Sequence, residues 1–298
     1  MPIILLAGGT GLIGTRLAEI LREKGHTVRL LTRSPKGENQ FIWNPAAGIL
    51  DEAALQNVDF VVNLAGAGIA DERWTAARKR EIIESRVQSA RTLRDAFSRL
   101  GIRPKAYLSA SAIGYYGNSG ERRMTEADAP VDNSFMVECC RQWETAADEV
   151  AALGIRTVKF RIGVVLAKEG GALAEFVKPL RFGLGVYFAD GQAWYSWIHL
   201  DDVCRFFIWA AENSSIEGVF NAVAPQPVRN KDLVKAIAKA MRRPAIFAPA
   251  SAFVMRLALG EMSAVILNSN LVSSEKAIQA EFQFQYPDLA TSLNQIFR

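Results

Sequence analysis

The fold class that the sequence predicts is α/β: a doubly wound parallel sheet with a smaller C-terminal lobe. Three observations carry this expectation. Short apolar runs alternate with helical stretches from Ile3 to Val223; a glycine-rich turn joins the first run to the first helix; and half of the 298 residues are apolar, enough for one full core. The expected division is a large domain over residues 1–225, with a substrate-side insertion at about 170–199, and a small lobe over 226–298.

The first strand, Ile3–Ala7, runs into Gly8-Gly9-Thr10-Gly11-Leu12-Ile13-Gly14 and leaves through a helix beginning at Thr15. Glycines at 8, 11 and 14 let the backbone turn sharply, approach a pyrophosphate and pack the helix on the strand, with the anion at the helix N-terminus. A tight connection that binds nothing is the competing reading, and the strand, turn and helix context outweighs it. The turn from Gly8 through Thr10, Gly11, Leu12 and Ile13 to Gly14 is therefore read as the dinucleotide cradle of a Rossmann domain.

The second strand, Thr27–Leu31, ends in Thr32-Arg33-Ser34. An acidic residue at this corner would hold the ribose hydroxyls of NAD, whereas a guanidinium favours the 2′-phosphate of NADP. No acid stands between Leu30 and Gly37, so Thr32 and Arg33 predict NADP rather than NAD. Phe41–Trp43 reads as a short strand, Glu52–Gln56 as a short helix, and Val58–Leu64 as a strand ending in Asn63-Leu64-Ala65-Gly66-Ala67-Gly68. Small residues at a strand's carboxyl end admit a cofactor closely, and the Asn63 amide is expected to reach it.

Thr75 is expected to cap a helix reaching Leu100, with Ile83, Val87, Ala90, Leu93, Phe97 and Leu100 as its buried stripe. Arg86 falls inside that stripe and needs a partner: a cofactor phosphate, a carboxylate such as Glu81, or solvent reached by snorkelling. The next strand, Ala106–Ser109, leads into Ala110-Ser111-Ala112-Ile113-Gly114-Tyr115-Tyr116-Gly117. Hydroxyls gathered there suggest chemistry, with Ser111 bonding a substrate oxygen and Tyr115 or Tyr116 lying over a nicotinamide or donating a proton. A serine-rich turn capped by aromatic packing is the alternative.

A polar loop over 118–133 precedes a helix over Ser134–Leu153 and a strand over Arg156–Leu166. Residues 170–190 read as a substrate-side loop. Trp194, Tyr195 and Trp197 then either wall a pocket or join the core, and His199 is read as a structural residue at a helix start rather than a proton donor. A helix over Phe206–Glu212, a strand over Gly218–Val223 and a helix over Asn230–Met241 follow, then a linker bounded by Pro244 and Pro249. Helices near Ala252–Leu259, Ser274–Ala280 and Leu289–Phe297 complete the chain.

Composition narrows the function. Net charge is +4, and the arginines between Arg73 and Arg103 are interleaved with Glu72, Glu81, Glu84 and Asp95 without an aromatic stacking series, so a solvated helix face is expected and no nucleic-acid partner. Cys139, Cys140 and Cys204 lack the spacing of a zinc site or a disulfide framework, and no metal is expected. The first strand starts at Ile3 and no apolar run reaches the about 20 residues of a membrane span, so a cytoplasmic protein without a membrane partner is expected.

Four motifs in order, Gly8–Gly14, Asn63–Gly66, Ser109–Gly117 and Ser196–Asp202, give the chain its resemblance to the extended and atypical short-chain dehydrogenase/reductases. More narrowly it resembles the bacterial epimerase family proteins of the NAD-dependent epimerase/dehydratase group. The resemblance implies a nicotinamide dinucleotide in the sheet crevice, a C-terminal lobe closing over a small polar substrate such as a nucleotide sugar, and cofactor-side positions at Asn63, Leu64, Ala65, Glu81, Arg86, Ser109 and Val164. One departure stands out. Active members carry Tyr-x-x-x-Lys on the helix after the serine strand; here those places fall near Met136 and Cys140, and no such spacing occurs from Ser134 to Leu153. Ser111 and Tyr115 remain as the candidate catalytic residues of an NADP-dependent oxidoreductase or epimerase. The alternative is a non-catalytic NADP-binding sensor or scaffold, since some relatives are associated with cell or plastid division.

Overall fold

The computed structural model describes residues 1–298. Its first six strands are Ile3–Ala7 (β1), Thr27–Thr32 (β2), Gln40–Asn44 (β3), Ile49–Leu50 (β4), Phe60–Asn63 (β5) and Ala106–Ala112 (β6). The others are Arg123–Met124 (β7), Thr157–Ile162 (β8), Val164–Leu166 (β9), Leu184–Phe188 (β10), Trp194–Tyr195 (β11), Trp197–His199 (β12), Gly218–Ala222 (β13), Val228–Arg229 (β14), Ile246–Ala250 (β15) and Leu271–Val272 (β16). The helices are Leu12–Glu23 (α1), Ala76–Leu100 (α2), Phe135–Ala151 (α3), Gly171–Leu180 (α4), Leu200–Glu212 (α5), Asn230–Ala240 (α6), Ala252–Leu259 (α7), Ala264–Leu267 (α8), Glu275–Gln279 (α9) and Leu289–Ile296 (α10).

The main sheet runs β13–β8–β6–β5–β1–β2–β3–β4 and is parallel except for β4. Strand order reverses between β1 and β5, so the crevice for a ligand opens at the carboxyl ends of those two strands. Both faces of the sheet are covered, which is why β1, β5 and β8 are continuous apolar or fully buried runs rather than alternating ones. Leu17 and Leu21 of α1 and Val203, Phe206 and Phe207 of α5 pack on one face. Ala90, Leu93 and Phe97 of α2 and Ala146, Ala147 and Val150 of α3 pack on the other. A second core joins Leu173 and Phe176 of α4, Leu233 and Ile237 of α6, Leu293 of α10 and the indole of Trp197.

Several expectations are corrected. The strand over Arg156–Leu166 is broken at Gly163, where a Cβ would collide with the Ser196 backbone and the Val223 side chain; β9 leaves the main sheet there and pairs with β12. Residues 170–190 hold α4 and β10 rather than a plain loop, and the expected linker between Pro244 and Pro249 holds β15, parallel to β10. On α2 the buried stripe starts at Ile82 instead of Ile83, and Leu100 is exposed beyond the last packed turn. Tyr195 and Trp197 are core residues, while Trp194 lies under the Arg229 guanidinium and wall-forming is not their role. Thr75 does cap α2, accepting from Arg78 N at 3.1 Å. No helix is long and apolar enough to cross a membrane.

Candidate functional site

The turn after β1 shows why its glycines are glycines. Gly8 has φ +79°, and a Cβ on it would stand 2.7 Å from the Leu64 carbonyl carbon, so the turn and the end of β5 touch backbone to backbone. Gly14 lies inside α1, where a Cβ would overlap the Gly8 carbonyl; its absence lets the helix sit against the turn. Gly11 is the N-cap of α1 and supplies no side chain to the first-turn N–H groups, which stay available to an anion.

Around this turn the structure gathers most of the sequence-derived cofactor residues. Gly8, Thr10, Gly11, Thr32 and Arg33 line one cavity of about 780 Å³. Leu64, Ala65 and Glu81 line its other side. Thr10, Gly11 and Leu12 are shared with or continue into a second cleft of about 810 Å³ that runs past Arg16 and Asp201 to Gly170. A cradle that any Cβ would fill, an uncapped helix start and an exposed guanidinium at the end of β2 fit a dinucleotide with phosphates at both places. Arg33 makes no hydrogen bond or ion pair within the protein, and so has a full set of donors to offer. Ile13 sits against the core beneath α1.

Asn63, Arg86 and Ser109, expected near the cofactor, are buried, Val164 is half-buried, and Glu81, though exposed, is engaged by Arg78. Asn63 is fully buried: its Nδ2 donates to Ser89 Oγ at 3.0 Å and Tyr107 OH at 2.8 Å, and its Oδ1 accepts from Ala65 N at 3.1 Å. It shapes the Leu64–Ala65 turn that meets Gly8, and its amide does not reach the crevice. Arg86 pairs with no carboxylate. Its Nη1 donates to Ala67 O at 3.0 Å and Ile82 O at 2.8 Å, its guanidinium lies 4.9 Å from the Trp143 ring centroid, and burial lowers its pKa. It props the Gly66–Gly68 loop from beneath. Glu81 accepts instead from Arg78 Nη1 at 2.7 Å, and Arg78 also holds Gly68 O. Ser109 is buried with its Oγ donating to Ala110 O, and Val164, half-buried, packs toward the second core. Sequence reasoning missed Trp43, Asn44 and Arg78 as cavity walls; the signal available was that β3 also ends on this edge of the sheet.

The hydroxyl cluster after β6 is built into a buried ion pair. Ser111 Oγ donates to Glu144 Oε1 at 2.7 Å, and Arg161 grips the same carboxylate through Nε at 2.8 Å and Nη2 at 2.9 Å. Arg161 Nη1 donates to Tyr116 OH at 3.0 Å, which donates to Asn221 Oδ1 at 2.7 Å. Burial opposes the Arg161 charge, but the bond to and charge of Glu144 hold its pKa above the ordinary value. Burial pushes the Tyr116 phenol up to about 12 against the pull of Arg161. Tyr116 is thereby a structural residue. Tyr115 is half-buried, its ring face 3.3 Å from the Arg161 guanidinium carbon, and its hydroxyl is taken by no protein group. In the places of the missing Tyr-x-x-x-Lys, Met136 lines an open cavity and Cys140 is fully buried, its thiol pKa raised by burial.

His199 caps α5. Its Nδ1 accepts from Asp201 N at 3.0 Å, Nε2 meets Gln295 Oε1 at 2.9 Å, and the ring stacks on Tyr286 at 3.9 Å. These bonds require a neutral ring with the proton on Nε2, and burial lowers its pKa below the ordinary 6.5. A depressed value means that the stability this group contributes is present above about pH 6.5 and is lost as pH falls through the folded value. Thermal unfolding is expected to show an acid-side loss of about 1 kcal/mol, the size of one helix cap, that His199→Asn removes because asparagine caps without titrating. An unchanged acid limb in that variant would remove His199 from the pH dependence.

Residues 4–222 match the model of the NAD dependent epimerase/dehydratase family, and residues 250–296 match a domain of unknown function, DUF1731. The chain is 36% identical to Epimerase family protein YfhF of Bacillus subtilis over 297 residues, covering 98% of this chain and 97% of the relative. It is similar to the crystal structure of human epimerase family protein SDR39U1 with NADPH, at a TM-score of 0.88 and 30% identity, covering 99% of both chains. It also resembles the nucleoside-diphosphate sugar epimerase from Corynebacterium glutamicum, at a TM-score of 0.81 and 29% identity, over 100% of this chain and 58% of that one.

Proposed function

We propose, from the premise that this chain belongs to the NAD dependent epimerase/dehydratase family and is a nicotinamide dinucleotide-binding protein of the atypical short-chain dehydrogenase type, that it binds NADP(H) and acts as an oxidoreductase or epimerase on a small polar substrate. The observation that carries the cofactor choice is Arg33, exposed and unpaired on the wall of the glycine-loop cavity. That the human relative was crystallised with NADPH, and that another relative is named for nucleoside-diphosphate sugars, supports the same reading.

A bound nicotinamide supplies a hydride donor or acceptor. The chain's own part follows from the hydroxyl network. Ser111 has spent its proton on Glu144, so toward a ligand it offers only lone pairs and accepts from a hydroxyl rather than donating to a carbonyl. Tyr115, whose hydroxyl bonds to no protein group, is the residue left to donate, and the Arg161 guanidinium against its ring face holds the ring in place.

Incubation with NADPH and a panel of carbonyl compounds and nucleotide sugars is expected to show consumption of reduced nicotinamide. Ser111→Ala is expected to leave NADPH affinity within about twofold while lowering that turnover by about 10²-fold or more, the scale of a lost proton-handling contact. Unchanged turnover would take Ser111 out of the chemistry. A second reading, NADP(H) binding without turnover by a sensor or scaffold, is favoured by one observation: a thioether and a buried thiol stand where the proton-transfer pair belongs. Tight NADPH binding with no consumption across the panel would select it.

A further inference from the structure

A cavity of about 550 Å³ lies between the start of α3 and the α7–α8 segment, apart from the glycine loop. Its aromatic side is Trp74 and Phe135, edge to face with centroids 4.7 Å apart, and Met136 and Leu267 extend the apolar wall. Its charges are Arg256 and Glu261. Glu261 is already neutralised by Lys79 at 2.7 Å, whereas Arg256 makes no ion pair or hydrogen bond with any protein group. Arg256 is therefore an uncompensated positive charge on the cavity wall, and Arg73, which donates to Leu257 O at 3.4 Å and pairs with no carboxylate, lies beside Gly260 at its edge.

The α3 side offers a donor as well. Ser134 is the N-cap of this helix, yet its side chain makes no cap hydrogen bond, and its Oγ is buried without a partner. An orphaned buried hydroxyl is costly, and the neighbouring Asp132 carboxylate is the one protein group that competes for this proton when a ligand arrives. The positive end of α3 is already met by Asp132, whose Oδ1 accepts from Ser134 N at 2.9 Å, so the charge of a ligand falls to Arg256.

From these observations we infer that the cavity binds a monoanionic carboxylate with a flat apolar or aromatic body: the body lies against Trp74 and Phe135, and the carboxylate is held by Arg256 and Ser134. The inference rests on the proposed oxidoreductase reading only for calling this ligand the substrate; the binding itself is independent of the cofactor. A cation beside an aromatic wall suits a carboxylate with an apolar body better than the polar sugar and two phosphates of a nucleotide sugar, so the finer choice of substrate class shifts toward small aromatic or apolar acids.

The probes are benzoate, its neutral isostere benzamide, and UDP-glucose, each titrated with and without NADPH. The readout is the indole N–H resonance of Trp74, which lies on this wall and donates to Ile69 O at 2.7 Å, with the titrations with and without NADPH separating any shift that the cofactor causes through the 66–71 loop. Benzoate is expected to saturate the shift and to bind about tenfold more tightly than benzamide. Arg256→Gln is expected to abolish that preference, and Ser134→Ala to weaken benzoate severalfold, with benzamide and NADPH affinities unchanged in both; Arg256 has no intramolecular partner whose loss could unfold the chain. Equal affinity for benzoate and benzamide, no saturable shift, an unaffected Arg256→Gln variant, or tighter Arg256-dependent binding of UDP-glucose would each overturn the inference. Benzoate binding in a protein that ignores NADPH would leave it standing and sink the cofactor reading instead; NADPH binding without benzoate binding would do the reverse.

Discussion

Glu144→Ala is expected to lower folding stability by about 3–5 kcal/mol, the cost of stranding a buried charge. Arg161 is 3% exposed and Glu144 6%, and the guanidinium meets the carboxylate through two nearly parallel hydrogen bonds. Removing the carboxylate leaves Arg161 with Tyr116 and the Tyr115 ring, neither of which carries a countercharge. The two-residue replacement Glu144→Met with Arg161→Met is expected to recover most of the loss, because both charges then leave a core that can close over apolar side chains. Urea unfolding of the wild type, both single variants and the double variant measures the coupling directly. Additive losses in the double variant would mean that the pair does not act as a unit. The network also bears on function, because β6, β8 and α3 meet through it at the carboxyl end of the sheet, where Ser111 is buried at 2% exposure and Tyr115 is half-buried.

The same residues show what a sequence can and cannot disclose. The turn Gly8–Gly14 was legible because its glycines answer to local steric demands, and β1, β2, β5 and β6 because buried parallel strands are uninterrupted apolar runs. The cap at Thr75 is local too. What escaped is set by partners far along the chain. Asn63 reads as a crevice residue until Ser89 and Tyr107 claim its amide. Arg86 required a partner, as its place among apolar positions indicated, but the partners proved to be backbone carbonyls and an indole face rather than Glu81 or solvent. Glu144 carried no signal at all, being one acid on an amphipathic helix, and only the pairing of β6 with β8 brings Ser111 and Arg161 to the same register and within its reach. The β10–β15 pair was invisible for a similar reason: two short strands with four other strands and the helices α5 and α6 between them leave no local alternation to read.

Arg33→Ala is expected to raise the Kd for NADPH by about 10- to 40-fold and to change the Kd for NADH by no more than about twofold. Hydrogen bonds to charged groups contribute about 1.5–3 kcal/mol, and the lower part of that range applies because Arg33 is exposed and its pairing is screened by salt. The corner that presents it is ordered by Ser34 N donating to Thr32 Oγ1 at 3.3 Å, so the change removes a charge without disturbing β2. The other charged groups on this cavity do not duplicate it: Arg78 is occupied by Glu81 and Gly68 O, and Asp71, Glu81 and Glu84 repel a phosphate. Arg33→Lys is expected to fall between, since an ammonium keeps the charge and loses the planar fork that matches a phosphate. Calorimetric titration of the nucleotide-free protein with both cofactors, at low and at raised ionic strength, separates the possibilities. A selective loss for NADPH that shrinks as salt rises identifies Arg33 as the contact to the 2′-phosphate, whereas equal losses for the two cofactors would assign it a structural part in the corner and leave the choice between NADP and NAD to other residues.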